Sequence, residues 1–243
     1  MERYLYTAMD GALHTLTAQR IHANNLANVG TTGFKSDMES VKAYPIEGPG
    51  FGSRILPQEQ IPGTDFTAGR LETTARSLDV GIRGSGFIAV RGEGGKEAYT
   101  RAGNLQVTSN GELVSNGHVV EGADGPLVVD DYRSIHVGSD GTVSITPVGG
   151  NGTMVSGQLK LVNPPITALA KGEDGLFYMK NGGQAPLDPN VVVESGHLEL
   201  SNVNAVDEMV NTLSLSRTFE VQVRMMKTAD ELSNTGNRLV RGG

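Results

Sequence analysis

Apolar residues recur at alternating steps of four and three near the start of the chain: Leu5, Met9, Ala12, Leu16, Gln19, Ala23 and Leu26, with one polar member. That spacing predicts a single helix over about residues 2–28 with a coiled-coil-like seam. Asn28 and Gly30 supply its C-terminal stop, and Thr31-Thr32-Gly33 reads as a turn. The other end of the chain mirrors the first. Ser201-Asn202-Val203-Asn204 offers N-cap candidates, and Glu208 stands where the helix dipole favours a carboxylate. A second long helix is expected from Ala205 to about Leu239, with Val206, Met209, Val210 and Leu213 at helical spacing, then Phe219, Val223, Met226 and Ala229 after a polar break.

Between the helices the pattern changes to short β-prone runs, including Phe87–Arg91, Leu105–Thr108, Glu112–Val114, Leu127–Asp130, Thr142–Thr146 and Val191–Glu194. They are punctuated by Asx-Gly pairs beginning at Asn110, Asn116, Asp124, Asp140, Asn151, Asp174 and Asn181, which are hairpin signals. A β domain over residues 78–200, a sandwich or irregular barrel, follows. Residues 36–77 carry Pro45, Pro49, Pro57 and Pro62 among several glycines and read as an extended connector with little regular structure. The expected fold class is therefore α+β: terminal helices (1–35 with 201–243) packed together, an extended connector (36–77) and a central all-β domain (78–200).

Composition narrows the chemistry. Glycine contributes 33 of 243 residues, about twice the usual share, and hydrophobic residues only 37%, so the core is thin and the chain rich in turns. A net charge of −7 gives no basic footprint for nucleic acid. Aliphatic runs such as Leu127-Val128-Val129 are far too short to cross a bilayer. The N-terminus has no apolar core or cleavage pattern of a secretory signal, which leaves the cytosol or another export route. With no cysteine there is no disulfide framework, thiolate metal site or cysteine nucleophile. The five histidines lack metal-ligand spacing; His14 and His22 share a helix face and read as a solvated or interface pair. Gly81–Gly86 lacks the Walker and dinucleotide fingerprints and reads as a β-turn, and Ser85 lacks the hydrolase elbow. No catalytic, cofactor or metal residue is assigned. What remains unusual is architectural. Two long amphipathic helices at opposite chain ends fit either an assembling subunit or an ordinary two-helix hairpin under a β domain.

Ala23-Asn-Asn-Leu-Ala-Asn-Val-Gly-Thr-Thr-Gly-Phe-Lys35 closely resembles the signature of bacterial flagellar rod and hook proteins. The resemblance extends to Leu78–Val90, Tyr99-Thr-Arg-Ala-Gly103 with Gly111–Val114, and Gly196–Asn204 with Glu208–Val210, so it covers nearly the whole chain. The terminal segments Tyr4–Gly11 and Arg217–Glu231 look most like the proximal rod members of the family. The resemblance implies a structural, non-enzymatic subunit of the axial rod that transmits torque and has no cofactor. It implies export, unfolded and without a cleaved signal peptide, through the flagellar type III apparatus into the periplasm. Implied partners are other rod subunits and copies of itself, with no nucleic acid and no membrane insertion. Helix packing within and between subunits is expected of Leu5, Met9, Leu16, Leu26, Val206, Met209, Leu213, Phe219, Val223 and Met226. Asn24, Asn25 and Asn28 are either a simple helix cap or bonds to an adjacent chain, and Phe34 in the signature completes the expected interface. The alternatives are a distal rod or hook paralogue, a β-rich enzyme or carbohydrate-binding domain, and a secreted β-rich adhesin; no tryptophan and 5% aromatics argue against a binding pocket.

Overall fold

The computed structural model describes residues 2–39, 41–45, 55–59, 63–150 and 152–241. An N-terminal helix, a β-rich middle and a C-terminal helix make the fold α+β. The chain gathers into two compact units: Met1–Asn28, Ser36–Asp65 and Val203–Gly243 in one, Val29–Lys35 with Phe66–Asn202 in the other.

In the first unit, α1 spans Glu2–Ala27 and α2 spans Ala205–Arg241. The Asn28 amide bonds the carbonyls of Asn24 and Asn25, both at 3.1 Å, and closes α1. Asn204 caps α2: its Oδ1 accepts the Val206 amide at 3.1 Å, while its Nδ2 donates to Asp207 at 2.7 Å. The helices run antiparallel, because Thr15 Oγ1 donates to Gln222 Oε1 at 3.1 Å and, further along α1, Asn25 Nδ2 donates to Glu208 Oε1 at 3.1 Å.

The segment expected to have little regular structure contains antiparallel pairing. Asp37–Met38 pairs with Gly63–Thr64, and Val41–Pro45 with Ile55–Glu59. Pro45 and Pro57 sit inside that second ribbon because a two-stranded ribbon has only edge strands, where a missing N–H is tolerated. Pro49 and Pro62 lie outside the described residues.

The second unit is a set of small antiparallel sheets. The largest holds five strands in the spatial order Leu161–Val162, Phe87–Arg91, Glu97–Thr100, Phe177–Met179, Leu169–Lys171. Five of the Asx-Gly pairs, at Asn110, Asn116, Asp124, Asp140 and Asp174, join strands that pair with each other. Asn151 lies outside the described residues, and Asn181 follows its last strand without forming such a hairpin. The run Leu127–Asp130 holds only an isolated bridge from Val128 to Glu112.

Strand Phe87–Arg91 is buried on both faces, so its alternating side chains enter two different cores. Ile88 and Val90 join Val80, Ile82, Leu105 and Leu113, while Phe87 and Ala89 join Tyr99, Val162 and Phe177. Phe66 adds an edge-on ring contact to Phe87, with centroids 6.1 Å apart.

Two tyrosines of this unit carry a pH signature. Burial pushes the Tyr99 hydroxyl up to about 12 from its ordinary value near 10, with the Glu97 carboxylate that it donates to adding to the shift. Burial and the Asp174 carboxylate likewise raise Tyr178 to about 12. Both folded values exceed the unfolded one. Their stabilising contribution is therefore complete below about pH 10 and lost as pH rises towards 12. Two of the chain's six tyrosines should thus ionise late in a spectrophotometric titration and convert to ordinary behaviour in denaturant. A single ordinary step for all six would contradict these contacts.

Candidate assembly surface and buried clasp

The buried row of α1 is not the row of large side chains. Ala8, Ala12, Thr15, Ala18 and Asn25 are buried, whereas Leu5, Met9 and Leu16 are each more than 40% exposed and Leu13 is 56% exposed. The expected seam is thus displaced around the helix, with Ala12 the one expected member that is buried. Small residues let two helices approach closely, and larger ones would hold them apart. Gly11 shows the tightness, since a Cβ there would stand 2.9 Å from Gln222 Nε2. On α2 the less exposed positions Glu208, Thr212, Leu215, Phe219, Gln222, Met226 and Ala229 also recur at steps of four and three. Polar groups close this seam: besides Thr15 and Gln222, His22 Nδ1 meets Glu208 Oε2, and Asn25 also bonds the Asp37 main chain at both ends, each at 2.9 Å.

The large apolar side chains of both helices therefore divide into two classes. Phe219, Val223 and Met226 are half-buried, as is Leu26. Val206, Met209 and Leu213 are exposed together with Leu5, Met9 and Leu16. Phe219 and Val223 also line a groove of about 310 Å³ with Glu220, Arg224 and Lys227. Of the asparagines, Asn24 is exposed, Asn28 bonds the Asn24 carbonyl at 3.0 Å, and Asn25 is fully engaged within the unit. His14 and His22 do share a face, and each meets a carboxylate, Glu39 at 3.9 Å and Glu208 respectively.

The β unit contains a buried ionic cluster that the sequence does not announce. Glu199 and Lys35 are each 1% exposed and Arg101 is 5% exposed. Glu199 Oε1 accepts Lys35 Nζ at 2.6 Å and the Gly69 amide at 2.9 Å, while Oε2 accepts Arg101 Nε at 2.7 Å. The spare donors are satisfied by main-chain carbonyls: Lys35 reaches Thr67 at 2.7 Å, and Arg101 reaches Gly86 at 2.8 Å and Gly84 at 2.9 Å. Gly84 and Gly86 lie in the turn that a phosphate-loop reading would have used, and both have positive φ. Their carbonyls, not their amides, face the nearest charge.

Around this cluster two connecting segments lie side by side. The Gly33 amide donates to the Glu199 carbonyl at 2.7 Å and the Asn202 amide to the Phe34 carbonyl at 3.4 Å. Lys171 covers the pair, bonding the Lys35 carbonyl at 2.8 Å with its ammonium 4.1 Å from the Phe34 ring centroid. Phe34 is thereby half-buried within the β unit. Gly33 is irreplaceable here on two grounds: its φ is +68°, and a Cβ would stand 2.3 Å from the Ala102 nitrogen. Lys35, Arg101 and Glu199 come from three separate signature segments, and a lone charge in each is the signal that could have marked them. No group of acidic or histidine side chains suited to a metal ion occurs among the described residues.

Comparison with known proteins shows the family. Residues 5–35 match the model of the flagella basal body rod protein, residues 81–145 the flagellar hook protein FlgE/F/G D1 domain, and residues 194–239 the flagellar basal body rod FlgEFG protein C-terminal. The chain is 37% identical to the flagellar basal-body rod protein FlgF of Escherichia coli (strain K12), over 99% of each chain. It is 36% identical, with the same coverage, to FlgF of Salmonella typhimurium, and 32% identical to the rod protein FlgG of Bacillus subtilis over 96% of this chain and 97% of that one. The three matched regions contain Lys35, Arg101 and Glu199 in turn. The chain belongs to the FlgF family of flagellar basal-body rod proteins, and is a structural rod subunit rather than an enzyme.

Proposed function

We propose that the chain is a proximal rod subunit that assembles through its two terminal helices, with copies of itself and with the other rod proteins, into the shaft that transmits torque. One observation carries the reading. The α1–α2 seam is built from Ala8, Ala12, Thr15, Ala18 and polar groups, while Leu5, Met9, Leu16, Val206, Met209 and Leu213 are left to solvent. A helix pair exposing its best apolar surface is incomplete, and neighbouring helices complete it in coiled-coil fashion. Head-to-tail contacts that do not close then generate a helical array. The terminal segments 1–35 and 201–243 form the assembly domain, the β domain stands apart from that role, and residues 36–77 bridge neighbours. The chain reaches the periplasm unfolded through the flagellar type III apparatus, without a cleaved signal peptide, and before assembly its helices exchange amide protons much faster than the β domain.

Complementation of a strain lacking the gene tests the proposal. The full chain restores rods in purified basal bodies, and a version without residues 205–243 does not. Rods that form normally without the chain would overturn it, and attention would move to a binding role for the β domain.

A further inference from the structure

The exposed rows on the two helices match each other in one antiparallel register, and from it we infer how a second copy of this chain docks. The inference rests on the polar, head-to-tail assembly proposed above, in which α1 of one copy runs antiparallel to α2 of the next.

On α1 the outward row continues from Met9, Leu13 and Leu16 to Arg20, all exposed. On α2 it comprises Val206, Val210, Leu213 and Arg217, also exposed, followed by Val221 at 52% exposure. Both rows have steps of three and four, so each forms a continuous stripe. Setting Leu13 of one copy against Leu213 of the next brings Leu16 to Val210 and Leu5 to Val221. The two basic residues then fall beside apolar partners, with acids adjacent: Arg217 lies against Met9 and next to Asp10, and Arg20 against Val206 and next to Asp207. Each guanidinium can lay its stem on the apolar stripe and turn its head to the neighbour's carboxylate. Apolar pairing and charge pairing thus select the same register.

This register differs from the one inside a single copy. Within the chain α1 and α2 meet through Thr15 with Gln222 and through His22 with Glu208. Relative to that pairing, Leu13 with Leu213 is displaced by roughly seven residues, about 10 Å at 1.5 Å per residue. Successive copies are therefore offset along the helices by about one heptad, and a displaced contact of this kind propagates rather than closes.

The absence of native cysteine allows a clean test. Two full-length variants, Leu16→Cys and Val210→Cys, are produced together in a strain lacking the gene, and purified basal bodies are oxidised. The expected product is a disulfide-linked pair containing one of each. Adding Arg217→Asp to the Val210→Cys chain should lower its yield about fivefold by removing a charge pair, and adding Asp10→Arg to the other chain should restore it. Met9→Cys with Met209→Cys should give no product, because in this register Met9 faces Arg217 and Met209 faces Thr17, about 12 Å apart along the helices. Rods that contain both chains but no 16–210 disulfide, or that give the 9–209 disulfide instead, overturn the register while leaving the rod assignment standing. Basal bodies that contain neither chain overturn the rod assignment and the register together.

Discussion

Replacing Glu199 with alanine should lower the stability of the β unit by about 3–5 kcal/mol, because it leaves two cations buried and unpaired. Lys35 and Arg101 lie beneath the surface with Glu199 as their shared carboxylate, and the Gly69 amide loses its acceptor at the same time. Against a typical domain stability of roughly 5–15 kcal/mol such a loss is severe. At about 2–4 °C per kcal/mol for a chain of this size, thermal unfolding followed by circular dichroism should shift down by roughly 10 °C.

A graded series separates the charge from the shape. Glu199→Gln keeps an acceptor for Gly69 but leaves the cations uncompensated, and should fall between parent and alanine. Lys35→Met removes one of the two cations while Arg101 still neutralises Glu199, and should cost less than Glu199→Ala. A Glu199→Ala variant within about 1 kcal/mol of the parent would show that water reaches the cluster and that the clasp contributes only as a surface ion pair does.

The second large effect is on assembly and leaves the isolated chain nearly untouched. Leu213 is 63% exposed, so Leu213→Asp places a carboxylate in water in the free subunit and changes its stability by no more than about 0.5 kcal/mol. Between packed helices of two copies the same carboxylate is desolvated without a partner, which no assembly of this kind tolerates. Leu16→Asp acts in the same way from α1. Both variants should therefore be exported, keep the melting behaviour of the β unit and abolish swimming in soft agar. Ala18→Asp differs, because Ala18 is 2% exposed within one copy and the change disrupts the helix pair itself. Normal motility of the Leu16 and Leu213 variants would count directly against the outward rows as the contact surface.

Much of the fold is readable in the sequence alone. Helix periodicity located α1 and α2 closely, the N-cap candidates at 201–204 include the observed cap Asn204, and Asx-Gly pairs marked five hairpins whose glycines adopt the required turn conformations. The facing of the helices was less accessible. Periodicity weighs apolar bulk, and bulk on α1 points to the row containing Leu5, Met9 and Leu16. Within one copy, however, close approach favours the row of alanines. Bulk in the sequence therefore marks a surface suited to packing, without saying whether against the same chain or another. The connector misled for a different reason, since its prolines argue against a sheet interior but are compatible with an isolated ribbon. For the clasp a lone charge in each signature segment is the one local hint, and it does not say that they meet, as Lys35 and Glu199 are 164 positions apart.

On the proposed assembly, one row of each helix is satisfied inside the subunit and the other only by neighbours. Cysteine footprinting measures this directly in a chain with no native thiol. Single cysteines at Met9 and Leu213, with one at the exposed Met154 of the β unit as reference, are labelled with a maleimide in the free subunit and in intact basal bodies. Positions 9 and 213 should label readily in the free subunit and become protected in the rod, while position 154 is the least altered of the three. Equal labelling of 9 and 213 in both states would contradict that assembly.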